Sequence, residues 1–451
     1  MRTSRKLPLL AVVALALLWL ILSGREDEGQ DTRVSEGRAG EQGAQKETPE
    51  PAQRPGRPIG DGSTSDTGAQ PGRMEVSKLA PGQRPPQFVV FSWDGAGEDD
   101  QALFSHFREV AKETDANMTF FLSGIYLLPE SERDRYRPPG KPVGASDIGY
   151  LGEAEIRATL EQLRGAWLEG HEIGTHFNGH FCGPSGGSSW SEQDWISETE
   201  QARELVQTWR TTTGFTDIPP LPFDYSKELI GGRAPCLEGQ QALLRAAPKL
   251  GFRYDASSPG GHQMWPQKVN GIWDLPLQQL PFPGNSFEVL SMDYNIMYNQ
   301  SQTTTGSKAK HATWEDQAYE TFMGGFSRAY QGNRAPLFIG NHFESWNGGI
   351  YMKAVERTMR SVCTKPEVRC VSFRDLVDWL DAQDPAVLAK LSELQVGAKP
   401  DWASYLAGPQ DKPTPSTPPK GPETAKAGVP RRRARRLGDR ALWVPRPARG
   451  N

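Results

Sequence analysis

The sequence lacks several features that would place it quickly. Charge is nearly balanced: 51 Lys and Arg stand against 55 Asp and Glu, leaving −4 over 451 residues. That overall charge calls for no nucleic-acid partner. Hydrophobic residues make up only 36 % of the chain, a low share for a globular protein, and the dilution lies at the two ends. No internal repeat is visible. Histidine is scarce, with seven in the whole chain, and there are four cysteines, Cys182, Cys236, Cys363 and Cys370, none in Cys-x-x-Cys spacing. The absent spacing argues against a four-cysteine zinc site. An even number of cysteines in an exported chain suggests two disulfides, Cys363 with its near neighbour Cys370 and Cys182 with Cys236.

Export is suggested by the N-terminus. Arg2, Arg5 and Lys6 precede an almost wholly apolar run from Leu7 to Leu22. Its length falls between a signal-peptide core of roughly 7–15 residues and a spanning helix of roughly 17–25. Neither an Ala-x-Ala cleavage pattern nor a lipid-bearing cysteine follows it. Residues 1–24 therefore read as a signal anchor with its basic end in the cytoplasm, or as a signal peptide. Residues 25–86 are Gly, Gln, Glu, Arg, Ser and Pro with almost no large apolar side chain, the composition of a disordered tether. Residues 397–451 are again Pro and Lys rich and end in the basic run Arg431-Arg432-Arg433-Ala434-Arg435-Arg436. Outside a cell such a run meets anionic wall polymers or lipid, or remains a solvated tail.

Between these ends, residues 87–396 alternate short apolar runs with stretches of helical period. Phe88–Ser92, Met118–Leu122, Glu172–Gly174, Ile272–Leu275 and Leu337–Gly340 are expected strands. Asp99–Glu113, Leu151–Gly170, Ser191–Thr213, Glu238–Leu250, Gly349–Val362 and Phe373–Gln383 are expected helices, with Ser191 an N-cap. This pattern implies a parallel α/β core in a single domain, as a barrel or an open sheet.

Chemistry concentrates at a few points. The run Phe91-Ser92-Trp93-Asp94-Gly95 brings one carboxylate to the end of a strand, where active-site groups of parallel α/β folds collect. His176 and His180 are four residues apart, a spacing that would place two imidazoles on one helical turn as metal ligands. His171, just upstream, reads as structural. Arg233 and Pro235 lie in a tight loop, Gly231-Gly232-Arg233-Ala234-Pro235-Cys236. Trp273, in Gly271-Ile272-Trp273-Asp274, is placed to stack on a sugar ring or to pack in the core. His342 ends the apolar run beginning at Pro336, as a general acid would.

In this order the motifs resemble the polysaccharide deacetylase family, the NodB-homology domain of carbohydrate esterase family 4. Residues 91–95 match its Thr-Phe-Asp-Asp-Gly motif imperfectly. His176 to His180 match its His-Ser/Thr-x-x-His motif, and Arg233-Ala234-Pro235 match its Arg-x-Pro loop. Trp273-Asp274 and Ile339-Gly340-Asn341-His342 match two further motifs loosely. The resemblance implies a distorted (β/α)7 barrel. It also implies a divalent metal on Asp94, His176 and His180, with zinc, cobalt, nickel or iron all compatible. Arg233 and His342 would be catalytic, and Trp273 and Pro235 substrate-binding. The implied activity is metal-dependent removal of N-acetyl groups from peptidoglycan or a chitin-like polymer, by a monomer at the cell surface.

The first motif departs from the family. Its first Asp is the general base and its second a metal ligand, so a strict alignment places Trp93 where the base belongs and leaves Arg233 without its partner. Strand alternation would instead turn Trp93 and Asp94 to opposite sides. Three expectations follow: a substitute base from Glu98, Asp99 or Asp100; hydrolysis with a weaker base or none; or a pseudoenzyme that binds carbohydrate without turnover. Phe181 through Trp190 are expected as an aromatic loop over the groove, tied to the Arg233 loop by the Cys182–Cys236 disulfide.

Overall fold

The computed structural model describes residues 56–407; the anchor segment 1–24, the tether to residue 55 and the basic run 431–436 lie outside them. A small antiparallel hairpin comes first, β1 (Arg57–Ile59) with β2 (Thr64–Asp66). Strand–helix alternation then begins at β3 (Gln87–Asp94), which is buried along its whole length. It continues through α1 (Leu103–Thr114), β4 (Thr119–Leu122), α2 (Glu153–Leu168) and β5 (Glu172–Thr175). The helices follow the expected periodicity. Ser191 caps α3 (Glu192–Gln207), its hydroxyl accepting from the Asp194 N–H at 3.2 Å, and α4 (Trp209–Thr213) continues it after a break.

The second half is more irregular. It comprises α5 (Tyr225–Glu228), α6 (Gln240–Ala246), β6 (Tyr254–Asp255), β7 (Gln267–Val269), β8 (Ile272–Asp274), β9 (Gln279–Pro281) and β10 (Glu288–Leu290). Regular structure resumes with α7 (Asp293–Gln300), α8 (His311–Tyr330), β11 (Leu337–His342), α9 (Trp346–Val362), β12 (Val368–Cys370) and α10 (Phe373–Ala382). The long helix α8 has no counterpart in the sequence reading.

Among the described residues the strands form no closed barrel, so the fold stands as α/β and the expected (β/α)7 closure is not seen. One parallel sheet runs β11-β3-β4-β5, with β12 paired to the start of β3. A separate three-stranded sheet runs β6-β8-β7. Single bridges, Thr175↔Gly232 and Met292↔Gly340, connect outward from the parallel sheet. The break falls where Gly and Pro interrupt the strands, at Gly231-Gly232 and from Pro276 to Gly284, residues that do not favour a continuous ladder.

Alternation along β3 sorts the core into two layers. Val89, Phe91 and Trp93 pack outward with Phe104, Phe107 and Val355 of the helical layer. Phe88 and Val90 pack inward with Tyr254, Phe338, Phe373 and Trp379. Asp94 continues the inward set.

The expected tether is corrected over residues 56–86, which lie along the domain. Arg73 pairs with Asp375 at 2.7 Å and Asp378 at 2.5 Å. Ser63 and Thr64 are buried, and the Leu79 N–H donates to Gln383 at 2.8 Å. Polar side chains here find fixed partners on the domain, and composition cannot reveal those. At the other end, Leu406 is buried, so the ordered chain passes the expected boundary at residue 396. Both expected disulfides are present, Cys182–Cys236 and Cys363–Cys370.

Candidate active site

β3 and β11 are neighbouring parallel strands, and in their register Asp94 stands opposite His342. Their C-terminal ends open into a cleft of about 200 Å³. Asp94, His176, His180 and His342 line it, together with Tyr126 and Glu344.

Asp94 is buried, and its Oδ1 accepts from Arg233 Nη1 at 2.7 Å. The guanidinium is itself fully buried. It donates through Nε to the Ala256 carbonyl at 3.1 Å and through Nη1 to Ser92 Oγ at 3.0 Å, and it lies 4.8 Å over the Phe121 ring. Burial pushes the Asp94 carboxyl up, but the positive charges of Arg233 and His342 outweigh burial and hold it below its ordinary range. Arg233 therefore has its carboxylate partner. Trp93 points the other way, fully buried against Phe107, Phe120 and Phe343 with ring centroids 4.9, 5.7 and 5.4 Å away. It does not occupy the site.

His342 answers Asp94 with the opposite charge. Asp293, at the start of α7, accepts from His342 Nδ1 at 2.8 Å and from its backbone N–H at 2.7 Å. Burial lowers the imidazole pKa, yet Asp293 overrides it and sets the value at about 9. The sequence reading missed Asp293. Its one signal was a carboxylate opening a short helix, which is common at helix starts.

His176 and His180 are not on a helical turn. They lie in the loop after β5, where Phe177 and His180 take left-handed backbone conformations with φ of 62° and 55°. Their rings are 5.1 Å apart. His176 Nδ1 is 2.8 Å from the Arg233 carbonyl. A carbonyl only accepts, so Nδ1 carries the proton and Nε2 keeps its lone pair, the arrangement usual for a metal-binding imidazole. Burial lowers the His176 pKa to about 3 and lowers that of His180 as well, so both rings are neutral. The donor atoms of Asp94, His176 and His180 do not all come within 4.8 Å of one another. Among the described residues only His180, Cys182 and Cys236 meet that distance, and there the sulfurs are bonded to each other. Two imidazoles fit a divalent metal, and Asp94 gives its Oδ1 to Arg233.

Of the other expected site residues, Glu98 and Asp99 border the cleft and the rest fall elsewhere. Trp273 is buried in the inner core, donating to Asp381 Oδ1 at 2.9 Å with Lys268 4.9 Å over its ring, and it does not line the cleft. Pro235 is buried beside the Cys236 turn, also away from the lining. Glu98 lines the cleft, but its carboxylate caps α1, accepting from the N–H groups of Phe104 at 3.2 Å and Ser105 at 2.9 Å. Asp99 also lines the cleft and accepts from the Gln101 N–H at 2.9 Å, whereas Asp100 is exposed outside the lining. Phe181 and Trp190 turn inward toward Trp195 and form no loop over the groove. His171 is structural as expected, its buried Nδ1 accepting from the Met118 N–H at 3.0 Å.

No family model and no curated protein matches the sequence. Solved structures do resemble it. A putative polysaccharide deacetylase from Mycobacterium smegmatis is 15 % identical with a TM-score of 0.39, over 68 % of this chain and 96 % of that one. A mutant of the peptidoglycan deacetylase PdaC from Bacillus subtilis is 9 % identical with a TM-score of 0.34, over 66 % and 92 %. A mutant CE4 family pseudoenzyme with restored enzymatic activity is 10 % identical with a TM-score of 0.35, over 68 % and 73 %. At these identities and TM-scores below 0.5 the likeness fixes no residue correspondence.

Proposed function

We propose that this chain is a hydrolase that removes N-acetyl groups from an amino-sugar polymer, with Asp94 as general base and His342 as general acid. One observation carries this reading. Asp94 and His342 are register partners at the ends of adjacent strands, and each is held in the opposite charge state by a buried partner, Arg233 and Asp293. Two titratable groups whose surroundings drive their charges apart define an acid and a base.

The residues divide the work as follows. Arg233 keeps Asp94 ionised and aimed into the cleft, ready to take a proton from the attacking water. Asp293 keeps His342 protonated at neutral pH and orients it through Nδ1, which leaves Nε2–H to donate to the departing amine. Water adds its oxygen to the acetyl carbon, the carbon–nitrogen bond breaks, and the products are acetate and a free amine. A zinc-like ion on His176 and His180 would acidify the water and polarise the carbonyl. Tyr126 also lines the cleft, its phenol held neutral by burial with its pKa pushed up to about 12, so it is an O–H donor. General acid–base help is worth about 10²–10⁴-fold.

Two disulfides support an oxidising compartment, in keeping with export and a cell-wall polymer as substrate. No helix among the described residues is long and apolar enough to cross a membrane, so anchoring would rest on the N-terminal run.

The incomplete metal set favours a second reading, a carbohydrate-binding protein without turnover. Acetate release from N-acetylglucosamine oligomers and peptidoglycan, with zinc or cobalt added or a chelator present, decides between them. Release that Asp94→Asn abolishes supports the hydrolase. Oligomer binding with no release under any metal condition assigns the fold to binding alone.

A further inference from the structure

The described residues bear three exposed large aromatic side chains, Phe287, Tyr294 and Tyr298, at 48 %, 38 % and 44 % exposure. All three lie on or just before α7, the helix whose first residue, Asp293, holds His342. Exposed apolar side chains that cluster mark interaction surfaces, and the grouping of these three around α7 beside the site needs a reason.

The strip is continuous with the cleft. From His342 the ring of Trp346 follows at 5.3 Å, Tyr294 at 5.8 Å from Trp346, and Tyr298 at 6.3 Å from Tyr294 with planes only 22° apart. Tyr294 and Tyr298 are four residues apart and share one face of α7. The adjacent face carries Asn295 and Asn299 at the same spacing. Those two amides and Phe287 line a second cleft of about 370 Å³ that Cys236 also borders, and Cys236 is tied through the disulfide to Cys182, whose Sγ is 3.8 Å from His180 Nδ1. Two chains of contact therefore lead from the catalytic histidines to the surface of α7.

Flat rings facing water beside neutral amides suit one class of ligand. A pyranose offers an apolar face to an aromatic ring, while its hydroxyl and N-acetyl groups hydrogen-bond an amide. Glu288 is the only charged residue lining the second cleft, so a neutral glycan fits better than a phosphate or a basic peptide. We infer that the α7 strip and the second cleft bind further units of the N-acetylated sugar chain whose acetyl group sits at Asp94 and His342. This inference rests on the deacetylase reading and extends it to a polymer-length requirement.

Calorimetry on the full chain tests it with the hexamer and the dimer of N-acetylglucosamine, while acetate release is followed in parallel. The expected result is tighter binding of the hexamer than of the dimer. Tyr298→Ala and Phe287→Ala should each weaken the hexamer about three- to tenfold and leave the dimer unchanged, whereas Tyr298→Phe, which keeps the ring, should retain the affinity. Equal hexamer affinity in both alanine variants and the wild type, or no preference for the hexamer, overturns the strip while leaving acetate release standing. A wild type that neither binds nor deacetylates any oligomer overturns the deacetylase reading and the strip with it. All three side chains are exposed, so unchanged thermal unfolding of the variants serves as the folding control.

Discussion

Arg233 Nη1 meets Asp94 Oδ1 at 2.7 Å, with the guanidinium fully buried and the carboxylate open only to the cleft. A buried pair of this kind leaves neither charge free to leave, since removing one partner strands the other at a cost of about 3–5 kcal/mol. It supports the base role proposed for Asp94. The carboxylate at 94 serves the arginine, as the family's base would. The side chain at 93 faces the helices, and the position after the carboxylate is Gly95.

Trp93→Asp should therefore destabilise the protein and restore nothing. It would remove a ring packed on Phe107, Phe120 and Phe343 and bury a carboxylate among them. The expected loss is about 4 kcal/mol or more, measured by denaturant unfolding, with no gain in acetate release. A gain in activity would mean that the residue reaches the site.

Gly95→Asp should raise zinc affinity at least about tenfold by calorimetry, because a new ligand oxygen would enter a site holding two neutral imidazoles. Gly95 lines the cleft, and a Cβ there would approach Tyr126 Oη at 3.5 Å and Ser123 Oγ at 4.0 Å, both tolerable contacts. The backbone φ of 65° is one that Asp accepts better than most residues. An unchanged affinity would place the missing ligand elsewhere.

Activity should fall on the alkaline side near pH 9. His342 donates only when protonated, and Asp293 sets its pKa at about 9, so kcat/KM declines as pH rises through that value. Asp293→Asn removes the charge that raises the pKa, leaving burial to lower it. The alkaline limb should then move to lower pH, by a unit or more in order of magnitude. A limb that stays in place would show that another group controls it.

Glu198 supplies a stability test distinct from catalysis. Burial raises its pKa from 4.5 to about 7, and its Oε1 accepts from the Tyr136 hydroxyl at 2.7 Å. Between pH 4.5 and 7 the folded state keeps a proton that the unfolded state has lost. This group's contribution is thus fully present below about pH 4.5, declines as pH rises, and is gone above about 7, a change on the order of 3 kcal/mol. Glu198→Gln retains an acceptor for Tyr136 and does not titrate. It should match wild type near pH 5 and exceed it near pH 8 in thermal unfolding; parallel curves would contradict this.

Much of the molecule is legible in its sequence because the relevant signals are local. Apolar alternation set β3, β4, β5 and β11 near their observed bounds, Ser191 marked a helix start, and cysteine count and spacing gave both disulfides. Asp94, Arg233, His176, His180 and His342 were all singled out from residue type and motif order, and the structure brings them to one cleft or its immediate support. Tertiary packing decided the rest. Whether Trp93 or Asp94 faced inward depended on which side of β3 the helices cover. Asp293 became His342's partner because α7 happens to start beside the end of β11, 49 residues away in the chain. Trp273 became a core residue because α10 covers it, and residues 56–86 gained order because Arg73, Ser63 and Leu79 found partners on the domain. Periodicity and spacing report what a residue does to its own segment; which distant group it meets is decided only when the whole chain has packed.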